Sequence, residues 1–408
     1  MAHEDASWHG LVREILDRSH LWRPEDLAGV VDGAAGRLGL RTTIYVIDHE
    51  QRFLRPLGVP GRDLPEPLAV DGTEGGAAFI GVESVPAGDR LWSPMVNGTD
   101  RLGVVEYRLP AGAAEPDRHL VRECELVAGL VGHLITTTQP RGDLLRLAQR
   151  SRPMTPGAEL LWELLPPLTV SVGDFAVAAV LEPAYDVGGD AFDYVADDRR
   201  PQFVVLDAAG RRLRAGLAAA VVLSSIRAAR RAGGDLLEQA RAADAELLQQ
   251  FPDARFATAV LAELDLDKGV LRYVNAGHPP PLVMRDGKVV ETLTEGRRMP
   301  LGIPDPQAAY GEVTLHPGDR LVLYTDGVTE ARDAAGEQFG VRRLADLVEH
   351  HCADDAPLSE SLRRLSHAVL DHQDGPPADD LTLVLVEWSA GAALRTVPPT
   401  SRESATAG

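Results

Sequence analysis

Apolar residues recur at helical spacing in SWHGLVREILDRSHLW and again in RPEDLAGVVDGAAGRLGL, which has an Asp-containing start and glycines at its end, so the chain is predicted to open with two helices. The pattern then shortens. TTIYVID, QRFLRPLG, AAFIGVE and RLGVVEYRL read as short β-rich runs separated by Gly, Pro and Asp clusters, and HLVRECELVAGLVGHLI returns to a helical period. From residue 168 to 389 strand pairs come first, then two central helices, more strands, two further helices and a final strand. This grouping predicts an α+β unit, because regular βαβ alternation is missing. LRAGLAAAVVLSSIRAARRA and DLLEQARAADAELLQQF are the central helices, ATAVLAELDLDKGVLRYVNAG is a hairpin turning at Asp267, Lys268 and Gly269, and LTLVLVEW is the last sheet strand.

The first block of elements, residues 1–138, resembles in its order a GAF-like sensor domain of α/β type. Residues 139–167 mix a basic helical stretch with Pro and Gly and then an amphipathic turn or two, and are predicted to form a helical linker. Its apolar residues Leu160, Leu161, Trp162, Leu164 and Leu165 either dock on the following domain or support a homodimer. The Ser/Thr/Pro/Gly-rich stretch 390–408 is expected to be a disordered tail.

The formal net charge of −20 argues against nucleic acid or anionic membrane as partners and suits a chain that binds divalent cations. Lys268 and Lys288 are the only lysines, so the positive charge is nearly all Arg, which reads as compositional bias. Cys124 and Cys352 lie far apart without metal-ligand spacing and are expected to be small buried hydrophobes. The N-terminus is acidic and polar where a signal peptide needs a basic start, and no apolar run approaches the roughly 20 residues of a membrane span, so a cytoplasmic location is expected.

Acids stand beside four short apolar runs: Asp190 in AYDVGGDAFDYV, Asp207 in FVVLDAAG, Asp326 in LVLYTDGVTEA, and the pair Asp379 and Asp380 in ADDLTLVLVEW. One such acid is ordinarily a turn residue or helix cap. Several at strand ends can converge on one sheet edge, where unpaired carboxylates repel unless a cation lies between them. Oxygen ligands favour Mg²⁺ or Mn²⁺. Asp190 and Asp193 are three apart and face opposite ways on a regular strand, so only one of them reaches such a site; the adjacent Asp379 and Asp380 cannot both point into it, and spacing does not choose between them. Gly188 and Gly189 let the backbone pass close to a ligand or form a bulge.

VGGDAFD, VVLDAAG, FATAVL, NAGHPPPL, MPLGI, HPGDRLVLYTDGVTEA, GEQFGVRRL and DDLTLVL, in this order over residues 160–389, resemble the successive signatures of the metal-dependent protein phosphatases (PPM, 2C-type), in the branch named for SpoIIE and RsbU. That resemblance implies an α-β-β-α sandwich spanning 168–389, with two Mn²⁺ or Mg²⁺ ions and hydrolysis of phosphoserine or phosphothreonine by a metal-activated water. It implies that Asp207 bridges both metals, that Asp326 and Asp379 complete one shell, and that Asp190 and the Ala208 carbonyl serve the other ion. Gly189, Asp193 and Asp380 then lie just behind the ligands. The implied substrate is an anti-sigma-factor antagonist. His278, Thr258 and Asp319 are assigned to the fold, as turn or hairpin residues that bond locally.

The family often carries Gly-His-Gly after the bridging aspartate, whereas here Gly210 is followed by Arg211 and Arg212. These arginines either contact the substrate phosphoryl group through their planar forks or form a solvated helix start. Two other functions use the same residues: a non-catalytic module that sequesters a partner, and a hydrolase of small phosphoesters.

Overall fold

A computed structural model describes residues 2–402 apart from 183–184, 187, 211, 252–255, 352–355, 374–376, 378 and 400. Cys124 is buried, and Cys352 lies outside the described residues. The chain divides into two units, 1–151 with 394–408, and 152–393.

The first unit is built on a six-stranded antiparallel sheet in the order Leu68–Ala69, Phe53–Pro56, Arg41–Ile47, Asp100–Arg108, Arg90–Asn97, Val85–Ala87. Its main core joins helices Ala2–Ser19, Leu27–Gly36 and Arg118–Thr138 to one face through residues such as Ile15, Val31, Ile44, Val105 and Val131. AAFIGVE is not a strand. It falls largely within the helix Glu74–Gly81, started by Thr73, whose hydroxyl accepts the Gly76 N–H at 3.0 Å. A Cβ on Gly76 would stand 1.7 Å from the Val70 carbonyl oxygen, so the run of small residues lets this helix press against backbone where a larger side chain would hold it off.

The expected linker is absorbed by the two units. Leu145, in the helix Leu144–Ala148, is buried in the first core, whereas Ala158 and Leu161, in Pro156–Leu164, are buried in the second. The boundary therefore falls at 151/152, not at 138 and 168, and Leu161 docks locally. The tail is also more ordered than its composition suggests. Ala392–Thr396 form a 3-10 helix, Ala392 is buried, and the Gly391 N–H donates to the Asp174 carboxylate at 2.9 Å.

In the second unit two six-stranded sheets face each other. One runs Arg297–Arg298, Val270–Ala276, Ala257–Asp265, Gln202–Ala208, Asp190–Val195, with Gly311–Thr314 also paired to Val270–Ala276. The other runs Lys288–Thr292, Leu282–Arg285, Arg320–Tyr324, Leu381–Trp388, Phe175–Glu182, Thr169–Val172. Phe203 of the first stacks on Phe175 of the second at 6.4 Å, and Val205, Val177, Leu181, Leu323 and Val384 share that core. Alternation turns Val204 and Leu206 to the opposite face, where helices Arg212–Arg231 and Leu236–Gln250 supply Val222, Ile226, Ala240 and Leu247. Helices Gly340–His351 and Leu358–His372 cover the outer face of the second sheet through Leu344, Val348, Leu362 and Val369. The result is the expected α-β-β-α sandwich. No helix among the described residues is long and apolar enough to cross a membrane.

Candidate active site

The acids gather at one end of the sandwich because four strand ends meet there. Asp207, the last residue but one of its strand, lies directly opposite Asp190, a like-charge cross-strand pair that is unfavourable unless something compensates it. From the facing sheet, Asp326 follows the strand Arg320–Tyr324, and Asp379 and Asp380 precede its neighbour Leu381–Trp388. A Cβ on Gly327 would lie 1.9 Å from the Asp380 carbonyl oxygen, so glycine after Asp326 is what allows the two acidic segments to abut.

Asp379 and Asp380 have different surroundings. The Asp380 carboxylate accepts N–H bonds from Gly188 and Gly189, both at 2.7 Å, and from Asp190 at 3.3 Å, and so clamps the glycine turn from the facing sheet. Asp379 is exposed beside Asp326 and Asp207, whose protonation it influences. Asp190 is buried, and one of its oxygens accepts the Thr325 hydroxyl at 2.7 Å. Thr325 in turn accepts the Thr382 N–H at 2.9 Å. Sequence reasoning missed Thr325, although its place just before Asp326 was visible. On Gly189 a Cβ would meet the Ala208 carbonyl oxygen at 2.5 Å and Asp207 Oδ1 at 3.2 Å, so this glycine keeps open the space between two of the expected ligands.

Asp193 does not join them. It faces the helix Arg212–Arg231, where Arg227 and Arg230 hold it at 2.6 and 3.0 Å, as a residue three positions from Asp190 must on a regular strand; its expected place behind the ligands is corrected to a helix anchor. His278 is buried with Nδ1 2.8 Å from the Thr258 hydroxyl, and its backbone N–H donates to Asn275 Oδ1 at 2.8 Å; burial lowers the imidazole to about 3, which keeps it neutral. Asp319 accepts both nitrogens of the Arg285 fork at 2.8 and 2.6 Å. Both hold the fold together.

Burial pushes Asp207 up to about 7, reinforced by Asp326, Asp379 and Asp380. Asp190 is raised by burial first and then by Asp207 and Asp380, against its Thr325 bond; Asp326 is raised by burial and then by Asp379 and Glu330. The charges acting on Asp207 and Asp326 among the described residues are acidic. Among the described residues no three acidic, His or Cys groups stand close enough to enclose an ion. The donor set is oxygen only, it carries uncompensated negative charge, and the glycine turn leaves room beside the Ala208 carbonyl. These features fit a hard divalent cation.

A pH effect follows. Between its ordinary 3.8 and about 7, folded Asp207 keeps a proton that the unfolded chain has released, so stability without metal falls as pH rises through that window. Melting in EDTA should therefore show a lower Tm at about pH 8 than at about pH 5, and Asp207→Asn should flatten the difference.

The arginine departure has a backbone signature. Arg212 begins its helix with φ +55°, the left-handed region that glycine enters freely, and its side chain is exposed; Arg211 lies outside the described residues. Replacing Arg212 by Gly should raise stability by about 1 kcal/mol, read as an increase in Tm. Unchanged kinetics in that variant would identify Arg212 as a solvated helix start.

Residues 197–389 match the family described as Stage II sporulation protein E (SpoIIE). This match covers most of the C-terminal unit. The chain is 26% identical over 212 residues to the phosphoserine phosphatase RsbU of Bacillus subtilis, covering 52% of this chain and 62% of RsbU. It is 31% identical over 134 residues to protein IcfG of Synechocystis, covering 33% of this chain and 21% of IcfG. Thus it spans about three-fifths and one-fifth of the lengths of these two relatives. Among solved structures, the RsbU and RsbW domains of Rv1364c from Mycobacterium tuberculosis match with 28% identity and a TM-score of 0.47, over 55% of this chain and 62% of that one. The SpoIIE match takes in Asp207, Asp326, Asp379 and Asp380, while Asp190 lies just before it.

Proposed function

We propose that the SpoIIE unit is a metal-dependent serine/threonine protein phosphatase that acts on a phosphorylated regulatory protein of the anti-sigma-factor antagonist type. The observation that carries this reading is the meeting of Asp190, Asp207, Asp326, Asp379 and Asp380 at one end of the sandwich, where the charges that act on Asp207 and Asp326 among the described residues are acidic. The phosphoserine phosphatase activity in the name of RsbU supports the substrate class. In this reading Asp207, Asp326, Asp379, Asp190 and the Ala208 carbonyl would hold two Mn²⁺ or Mg²⁺ ions, Asp207 serving both, Asp326 and Asp379 one, and Asp190 with the Ala208 carbonyl the other. Such ions supply charge stabilisation for the phosphoryl oxygens and lower the pKa of bound water.

The chain's own residues prepare the site. Asp380 fixes the Gly188–Gly189 turn, and Thr325 orients Asp190. Gly327 sets Asp326 against the Asp380 segment. The N-terminal unit is read as a GAF-like sensor that regulates this site. The test is phosphate release from a phosphoserine protein and from para-nitrophenyl phosphate, with Mn²⁺ or with EDTA. Mn²⁺-dependent release from the protein supports the proposal, release from the small ester alone favours a small-phosphoester hydrolase, and no release from either substrate favours a partner-binding module.

A further inference from the structure

The first unit gathers positive charge in one row of its sheet. Arg41, Arg108 and Arg90 lie on three adjacent strands, with Arg108 directly opposite each of the other two. Directly opposite residues point to the same face, so the three guanidinium side chains leave the sheet on one side, at the margin of the small core that Tyr45, Trp92 and Val104 form with the helix Glu74–Gly81. Alternation puts Glu106 in the next row of that face, and it is the carboxylate that meets them. Its Oε1 stands 3.2 Å from Arg90 and 3.5 Å from Arg108. That oxygen is buried and accepts no hydrogen bond among the described residues, so both contacts are attractions of charge alone. Arg41 has no ion-pair partner among the described residues.

Elsewhere in this chain arginine forks engage a carboxylate bidentately, as Arg62 does with Asp32 at 2.8 and 2.6 Å and Arg285 with Asp319 at 2.8 and 2.6 Å. Among the described residues the forks of Arg41, Arg108 and Arg90 donate no hydrogen bond. Like charges directly opposite one another on neighbouring strands are destabilising, and a single carboxylate does not neutralise three cations. An anion bound across the row removes that repulsion and supplies the missing acceptors. The row also sets the size of the anion. Neighbouring strands lie about 5 Å apart, so Arg41 and Arg90 are separated by about 10 Å with Arg108 between them. A lone phosphate reaches one or two forks, whereas a chain of phosphate groups runs along all three, and the planar fork matches phosphate oxygens. We propose that Arg41, Arg108 and Arg90 form a binding site for the di- or triphosphate group of a small molecule. The site lies wholly in the first unit and is independent of the phosphatase reading.

Calorimetric titration of inorganic triphosphate, ATP and sulfate tests the site, using the full chain freed of metal on a chelating resin, at about 0.15 M NaCl. Without metal the acid cluster of the second unit repels such anions, so binding there does not interfere. The same titrations are made with Arg41→Gln, Arg108→Gln and Arg118→Gln. Arg118 is exposed at the start of the helix Arg118–Thr138, which packs on the opposite face of the sheet, so its loss removes the same charge without touching the row. Arg41→Gln leaves both Glu106 contacts in place and keeps the test valid if Arg108→Gln folds poorly. One equivalent of triphosphate should bind, each substitution in the row should weaken it by about tenfold, and Arg118→Gln should change it by less than about twofold. Tighter binding of ATP than of inorganic triphosphate identifies a nucleotide as the ligand, and equal affinity identifies the phosphate chain itself; both support the site. No saturable binding of triphosphate, sulfate binding as tightly as triphosphate, or an equal loss in Arg118→Gln and Arg41→Gln would overturn it.

Discussion

Asp207→Asn is expected to lower Mn²⁺-supported phosphate release by about a thousandfold while leaving the sandwich folded. Asp207 stands opposite Asp190 and is also acted on by Asp326, Asp379 and Asp380, so an amide there removes negative charge from the centre of the cluster. The same change relieves repulsion in the metal-free protein. In EDTA at about pH 8 the variant should accordingly melt at or above the temperature of the unmutated chain, a combination that a merely structural role for Asp207 would not produce. Equal phosphate release by the two proteins would remove Asp207 from the machinery.

The second large effect is on stability. Arg298 and Asp244 form a buried pair between the segment after Gly296 and the helix Leu236–Gln250, and Asp244 also accepts the Gly302 N–H. Burial raises Asp244 despite Arg298 and the Gly302 bond, so the pair does not fully offset its own desolvation. Removing one partner is more costly than the pair's net contribution, because the other charge stays buried and unpaired. Asp244→Ala is expected to destabilise the second unit by about 3–5 kcal/mol, a fall in Tm on the order of 10 °C by scanning calorimetry. A change of under about 2 °C would show that Arg298 escapes to solvent when its partner is lost.

Much of this architecture was legible where periodicity and punctuation agreed. LTLVLVEW forms the strand Leu381–Trp388, and the hairpin Ala257–Asp265 with Val270–Ala276 turns where Asp267, Lys268 and Gly269 suggested. The opposite orientation of Asp190 and Asp193 followed from strand alternation alone. AAFIGVE misled because a short apolar run reads equally well as strand or helix, and here the Thr73 cap decided the matter. Arg90–Asn97 was hard to see as an interior strand because Pro94 sits within it.

At the site, the acids grouped in the sequence meet in the fold, but their spacing could not distinguish Asp379 from Asp380. The difference arises from the Gly188 and Gly189 amides, which reach Asp380 from the facing sheet nearly 200 residues away in sequence, at separations of 192 and 191. Nor could it reveal that Arg212 takes a left-handed conformation, since that depends on how the glycine turn and the following helix meet.

Calorimetric titration of Mn²⁺ into the intact chain and into Asp207→Asn tests the central claim most directly, because it asks whether the acid cluster holds the cations on which the proposed chemistry depends. Two equivalents bound by the unmutated protein, with binding lost or strongly weakened in the variant, is the predicted result. No binding, or the same binding by both proteins, would contradict it.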